Sequence, residues 1–201
     1  MTARRCTGGC GIVPAMSTHP TDSSVIRDLI GLVETKALRR GTFRLASGRE
    51  ASFYLDAKQV VLDAHGAMLV GRAILDRLRA LGPLPDAVGG MSIGADPITS
   101  AVVTMAGVEG LPLKGFMVRK EPKDHGTKKY VEGPVQPGQR VVIVDDLLAT
   151  GGTALATTHL VRQLKAEPVA TLFVIELLGL HGREKLAPMP VHALMSMEVD
   201  E

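Results

Sequence analysis

Apolar and polar residues alternate along this chain with two periods, and the period switches back and forth. Thr21, Asp22, Ser23 and Ser24 offer N-caps to a helical stripe of Val25, Ile26, Leu29, Ile30, Leu32, Val33 and Leu38, which predicts a helix ending near Gly41. Two short strands follow, Phe43 to Ala46 and Ser52 to Asp56, separated by the turn-like SGRE. A second amphipathic stretch predicts a helix from Ala64 to Leu81, stopped by Gly82 and Pro83. Ala87 to Gly90 reads as a short apolar strand, Pro97 to Ala106 as a helix, and Leu113 to Val118 as a strand leading into a charged loop that runs to Gly138. Val141 to Val144 is an unbroken β-branched run, the pattern of a central parallel strand buried on both faces. Val169 to Leu178 repeats that pattern, and Val191 to Met197 closes the sheet. Strands alternating with helices imply βαβ units and a doubly wound α/β sheet.

The richest chemistry lies in RVVIVDDLLATGGT, Arg140 to Thr153. Asp145 and Asp146 leave the buried strand together, and adjacent carboxylates at a dry strand end call for donors such as sugar hydroxyls or a metal's water shell. From Ala149 through Thr150, Gly151, Gly152 and Thr153 the side chains are small, so the backbone can approach an anion and wrap it. A helical pattern then starts at Thr153, which places a phosphate on a helix N-terminus at the carboxyl end of a strand. The spacing fits neither the Walker phosphate loop nor the dinucleotide fingerprint.

A second cluster is the loop Arg119, Lys120, Glu121, Pro122, Lys123, Asp124, His125, Gly126, Thr127, Lys128, Lys129, with five cationic residues, a histidine and Gly/Pro breakers. Beside a phosphate site, such a loop can hold a departing diphosphate and exclude water.

Composition adds limits. The chain has 201 residues, 45% hydrophobic and 22% charged, enough for one domain with a substantial core. No apolar run reaches the roughly 18 residues a membrane span needs. A net charge of +2 and 3% aromatic residues argue against a nucleic-acid partner. Cys6 and Cys10 are the only cysteines; CTGGC lacks a second ligand pair, so residues 1–20 read as a mobile tail, residues 21–201 as one domain, and Met16 as an alternative start. With no cysteine in the body, a cytoplasmic location is expected.

VVIVDDLLATGGT resembles the 5-phosphoribosyl 1-diphosphate (PRPP) motif of type I phosphoribosyltransferases, and RKEPKDHGTKKYVEG resembles the mobile catalytic loop of orotate phosphoribosyltransferases. GTFRLASGREASFYLD, Gly41 to Asp56, is similar to that family's amino-terminal, base-covering hood, and GGMSIGADPITSAVV, Gly89 to Val103, to its diphosphate-side loop and following helix. The resemblance implies a type I phosphoribosyltransferase fold with a small hood, and Mg2+-dependent transfer of phosphoribosyl from PRPP to orotate, giving orotidine 5-monophosphate and diphosphate in pyrimidine synthesis. It implies that Arg119, Lys120, Lys123 and His125 bind PRPP, with Lys123 and His125 nearest the diphosphate. Asp145, Asp146, Leu147, Leu148, Ala149, Thr150, Gly151, Gly152 and Thr153 would cradle the ribose and its phosphate, and Ser92 to Gly94 would offer backbone groups to the diphosphate. Lys123, His125, Asp145 and Asp146 carry the implied catalytic roles, and Mg2+ rides on PRPP rather than on protein ligands. A loop that reaches the neighbouring subunit implies a homodimer with a shared site.

LLATGGT and ELLGLHGREKLAP instead resemble adenine phosphoribosyltransferases, with Ala149 where orotate enzymes usually carry Thr and no basic residue at the end of the next strand. Candidate base contacts are Ala149, Phe53 or Tyr54, and Arg183, with Arg49 or backbone N–H groups as other partners for a carboxylate. Adenine thus stays open as the base, as does a PRPP-sensing regulator without turnover.

Overall fold

The computed structural model describes residues 11–14, 23–44, 50–122 and 129–199. Its main sheet has seven strands in the order β1 (Ile12–Pro14), β9 (Val191–Met197), β8 (Glu167–Leu177), β7 (Arg140–Leu148), β4 (Ala87–Met91), β5 (Lys114–Val118), β6 (Val131–Glu132). The five inner strands are parallel; β1 and β6 are antiparallel edges. A separate two-stranded antiparallel sheet pairs β2 (Leu38–Arg44) with β3 (Glu50–Leu55). The helices are α1 (Ser23–Leu32), α2 (Lys58–Val61), α3 (Ala64–Ala80), α4 (Ala95–Val108), α5 (Gly152–Gln163) and α6 (Gly182–Leu186). No helix among the described residues is long and apolar enough to cross a membrane.

The β-branched run behaves as its pattern predicts. Val141 to Val144 are all at most 1% exposed. Val142 and Val144 join the core shared with α1, α3 and α4, while Val141 packs with Phe116 and Val161 of α5 on the opposite face. Each such burial contributes about 1.5–3 kcal/mol. Strand order reverses between β4 and β7, since β5 lies outward of β4 on one side and β8 and β9 outward of β7 on the other. The carboxyl ends of β4 and β7 therefore flank the topological switch point, the crevice where open α/β sheets take ligands.

Four sequence expectations change. The first helix stops at Leu32, passes through a π turn at Val33–Ala37, and becomes strand at Leu38, which pairs with Leu55; cross-strand pairing overrides the helical stripe. The sheet does not close at Val191 to Met197: Ile12–Pro14, read as part of a mobile tail, lies against Met195–Met197 with Ile12 buried. The rest of residues 1–20, bar Gly11, lies outside the described residues. The charged loop contains an edge strand, β6, and a short helix, α2, precedes α3. Lastly, β7 continues to Leu148, with Asp145 paired to Phe173 and Leu148 to Glu176, so the two acids remain in the strand instead of leaving it.

Candidate active site

The acid pair sits at the switch point. Asp145 is 8% exposed, and its Oδ1 accepts a hydrogen bond from the Asp146 backbone N–H at 3.0 Å. Burial, followed by the adjacent charge of Asp146, pushes the Asp145 carboxyl up to about 7. One proton is thus available near neutral pH on a group facing the crevice. The loop after β4 presses against the pair: a Cβ on Gly94 would lie 2.6 Å from Asp145 Oδ1 and 3.2 Å from Asp146 Oδ1. Ser92, joined to Ile93 by a cis peptide, donates through Oγ to Asp96 Oδ1 at 3.0 Å, fixing that loop to the start of α4.

Beyond the acids the chain turns into the cradle. Asp145, Leu147 through Ala154, and Phe173 line a hollow of about 70 Å³. Gly151 opens α5 with φ +74°, a conformation that costs a side chain but not glycine. A Cβ there would also meet the Gly182 carbonyl at 2.6 Å, and a Cβ on Gly182 would meet the Ala149 carbonyl at 2.2 Å. The two glycines let α6 dock directly under the loop. No side chain among the described residues caps α5, so its first-turn N–H groups face an anion undisputed. Leu148 is 1% exposed and packs with Phe173 and Leu186, which restricts its part in ligand binding to the backbone.

The strands that flank the cationic loop are paired. Val118 pairs with Val131, and the Arg119 N–H donates to the Tyr130 carbonyl at 2.8 Å. Arg119, Lys120 and Glu121 line a cleft of about 380 Å³ together with Ser92 and Ile93, which brings the loop's first cations to the β4 loop. Lys123 and His125 lie outside the described residues, as does Arg49.

The base candidates separate. Phe53 packs into the main core, whereas Tyr54 is 46% exposed and meets Phe43 with ring centroids 5.7 Å apart. Ala149 packs against the core at the rim of the cradle. Arg183 is not brought to that hollow. Its Nε donates to Glu176 Oε1 at 2.8 Å, its other end reaches Glu176 Oε2 at 2.5 Å, and it also donates to the Val191 carbonyl. Glu176 is 5% exposed, and a buried carboxylate without a partner is strongly disfavoured, so it captures the arginine. The pair borders a separate cavity of about 330 Å³ with Arg77, His192 and Ser196.

Sequence reasoning overlooked Lys58. Its Nζ lies 3.9 Å from Asp146 Oδ2 and 3.8 Å from Asp56 Oδ1. An acid and a lysine spaced two apart at the end of the hood, Asp-Ala-Lys, were the available signal.

Comparison with known proteins decides what this arrangement is. The phosphoribosyl transferase domain model matches residues 65–188. A protein of Rhodopirellula baltica named orotate phosphoribosyltransferase is 53% identical over 155 residues, 75% of this chain and 80% of the relative. The chain belongs to the orotate phosphoribosyltransferase family. Among solved structures, an orotate phosphoribosyltransferase of Mycobacterium tuberculosis H37Rv in complex with Fe(III) dicitrate aligns with a TM-score of 0.74 at 30% identity, covering 86% of this chain and 96% of that one. The same protein in complex with PRPP gives a TM-score of 0.70 at 28% identity over equal shares. The orotate phosphoribosyltransferase fold is thus the type I α/β architecture expected from the motifs, with the hood added before it.

Proposed function

We propose that this chain transfers the phosphoribosyl group of PRPP to N1 of orotate, releasing diphosphate and forming orotidine 5-monophosphate. The observation that carries the reading is the switch-point crevice in a member of this family, where an acid pair leads into an open helix N-terminus, with Arg119 and Lys120 beside the β4 loop in a neighbouring cleft. The bond from the anomeric carbon to the diphosphate oxygen breaks as the bond to N1 forms, and positive charge builds on the ribose ring. Catalysis is then positioning and electrostatics. The cradle holds the 5-phosphate through backbone N–H groups, and Asp146 accepts from the ribose hydroxyls. Asp145, with its carboxyl poised near neutrality, exchanges a proton with the ribose or the base. Arg119 and Lys120, with Lys123 and His125 farther along the loop, hold the departing diphosphate.

Among the described residues no three His, Cys, Asp or Glu side chains gather to hold a metal ion. A hard cation such as Mg2+ would arrive with its oxygen ligands on PRPP and would there offset the charge of the departing diphosphate. With Arg183 engaged by Glu176, the orotate carboxylate falls to backbone N–H groups or to Arg49. Tyr54 covers the base, the enzyme works as a homodimer sharing its loops, and it is cytoplasmic.

The test offers orotate, adenine, uracil and guanine in parallel with PRPP and Mg2+. Product from orotate alone is expected. Turnover of adenine alone would reassign the base in line with the ELLGLHGREKLAP segment, and turnover of none, with PRPP still bound, would make the chain a sensor.

A further inference from the structure

We propose that Lys58 is a positioning residue for the reaction, holding the Asp146 side chain in place to accept from the ribose hydroxyls through an electrostatic bridge from the hood exit to β7. The inference rests on the PRPP reading of the acid pair. Its basis is geometric. Asp56 is fixed at the end of β3 by the Gln59 side chain, which donates to Oδ2 at 3.1 Å, and by the Lys58 backbone N–H, which donates to Oδ1 at 3.3 Å. These bonds, the Gln59 one foremost, keep Asp56 ionised below the usual carboxylate range. The Lys58 ammonium then stands between a fixed anion and Asp146, nearly equidistant from both and hydrogen-bonded to neither.

The base of the bridge is rigid. α2 buries Val60 and Val61 to 1–2% exposure, and Gly66 of α3 approaches so closely that a Cβ there would sit 2.2 Å from the Val60 carbonyl. Asp63 caps α3 by accepting from the His65 and Gly66 N–H groups, both at 3.1 Å, and its other oxygen takes Lys36 Nζ at 2.6 Å. The short helix that carries Lys58 is therefore anchored, while the Lys58 side chain itself is half exposed.

Burial and the neighbouring Asp146 charge raise the Asp145 carboxyl, and the Lys58 charge opposes them. The charged groups acting on Asp145 are Asp146 on its own strand and Lys58 from α2. β8 faces it with Phe173, the β4 loop with Gly94, and Asp96 at the start of α4 is turned to Ser92. Placed 3.9 Å from Asp146 Oδ2, the ammonium orients that side chain, and its charge draws the Asp145 carboxyl downward against burial. Ribose hydroxyls then meet an acceptor held in place. Because the Lys58 ammonium is hydrogen-bonded to neither Asp56 nor Asp146, its N–H groups also stay available to the incoming PRPP.

The experiment compares wild type with Lys58→Met, which keeps the aliphatic stem, and Lys58→Arg. In the unliganded proteins the aspartate carboxyls are titrated by 13C NMR, and steady-state kinetics are measured against PRPP. Lys58→Met is expected to move the Asp145 midpoint upward from about 7, by on the order of half a pH unit for a half-exposed ammonium. It should raise KM for PRPP several-fold with a smaller change in kcat, and Lys58→Arg should restore both. A midpoint that stays in place, or an unchanged KM with only a lower Tm, would reduce Lys58 to a structural tie and overturn the inference. Should the wild type turn over no base, the proposed reaction fails, and the NMR midpoint alone still decides the role of Lys58.

Discussion

The cradle at residues 145–153 and the hood strands β2 and β3 are held by opposite means. The cradle continues a strand hydrogen-bonded on both sides, and its chemistry is backbone chemistry, set by Gly151 and by α6 docked beneath it. Among the described residues the hood shares no ladder with the main sheet. It rests on Phe53 and Leu55 packed into the core, on the Asp56 N–H donating to the Ala37 carbonyl at 3.0 Å, and on the ammonium bridges of Lys36 and Lys58. A lone two-stranded ribbon is marginally stable, so the hood can open at low cost while the cradle opens only with the domain. On the proposed function, phosphate recognition falls to the rigid region and base admission to the compliant one.

The sharpest way to break this comparison is Gly151→Val. A β-branched side chain at φ +74°, aimed at the Gly182 carbonyl, should lower PRPP affinity by about 100-fold or more, read by calorimetry with Mg2+. Near-native affinity would mean that the phosphate is held elsewhere.

Next in size is Asp145→Asn, which should trade activity for stability. The folded-state carboxyl is raised from 3.8 to about 7, so its contribution to stability is complete below pH 3.8 and is lost as pH rises through 7. The amide carries no such burden. The variant should therefore gain on wild type between about pH 4 and 7, by at most about 4 kcal/mol, and keep that gain above pH 7. Thermal unfolding at pH 5 and pH 8 reads it, and a gain confined to pH 5 would contradict the assigned ionisation. Turnover should fall in the same variant.

The smallest expected effect is that of Tyr54→Ala in the hood. KM for the base should rise a few-fold with PRPP affinity unchanged, while loss of the Phe43 contact costs no more than about 1.5 kcal/mol. A matching loss of PRPP affinity would show that hood and cradle are one rigid unit after all.

Legibility followed how local each cause is. β4, β8 and β9 fall within two residues of their expected limits because a buried strand writes itself as an apolar run. β1 and β6 have three and two residues, too short for any period, and exist only because a neighbouring edge was open. The helical stripe up to Leu38 was outweighed by pairing with a strand that follows it in the chain. Arg183 carried the right charge for a carboxylate ligand but met Glu176 first, a competition that no spacing reveals.

The order of elements and the anion cradle were determined by the sequence itself, because strand, acid pair, small-residue turn and helix are contiguous and their conformations follow from side-chain size and periodicity. Which cation faces which acid, where the Asp145 proton resides and how the hood is tethered were decided only in three dimensions. Charges act through space across elements far apart in the chain, and burial, which sets their strength, exists only once the sheet and helices have packed.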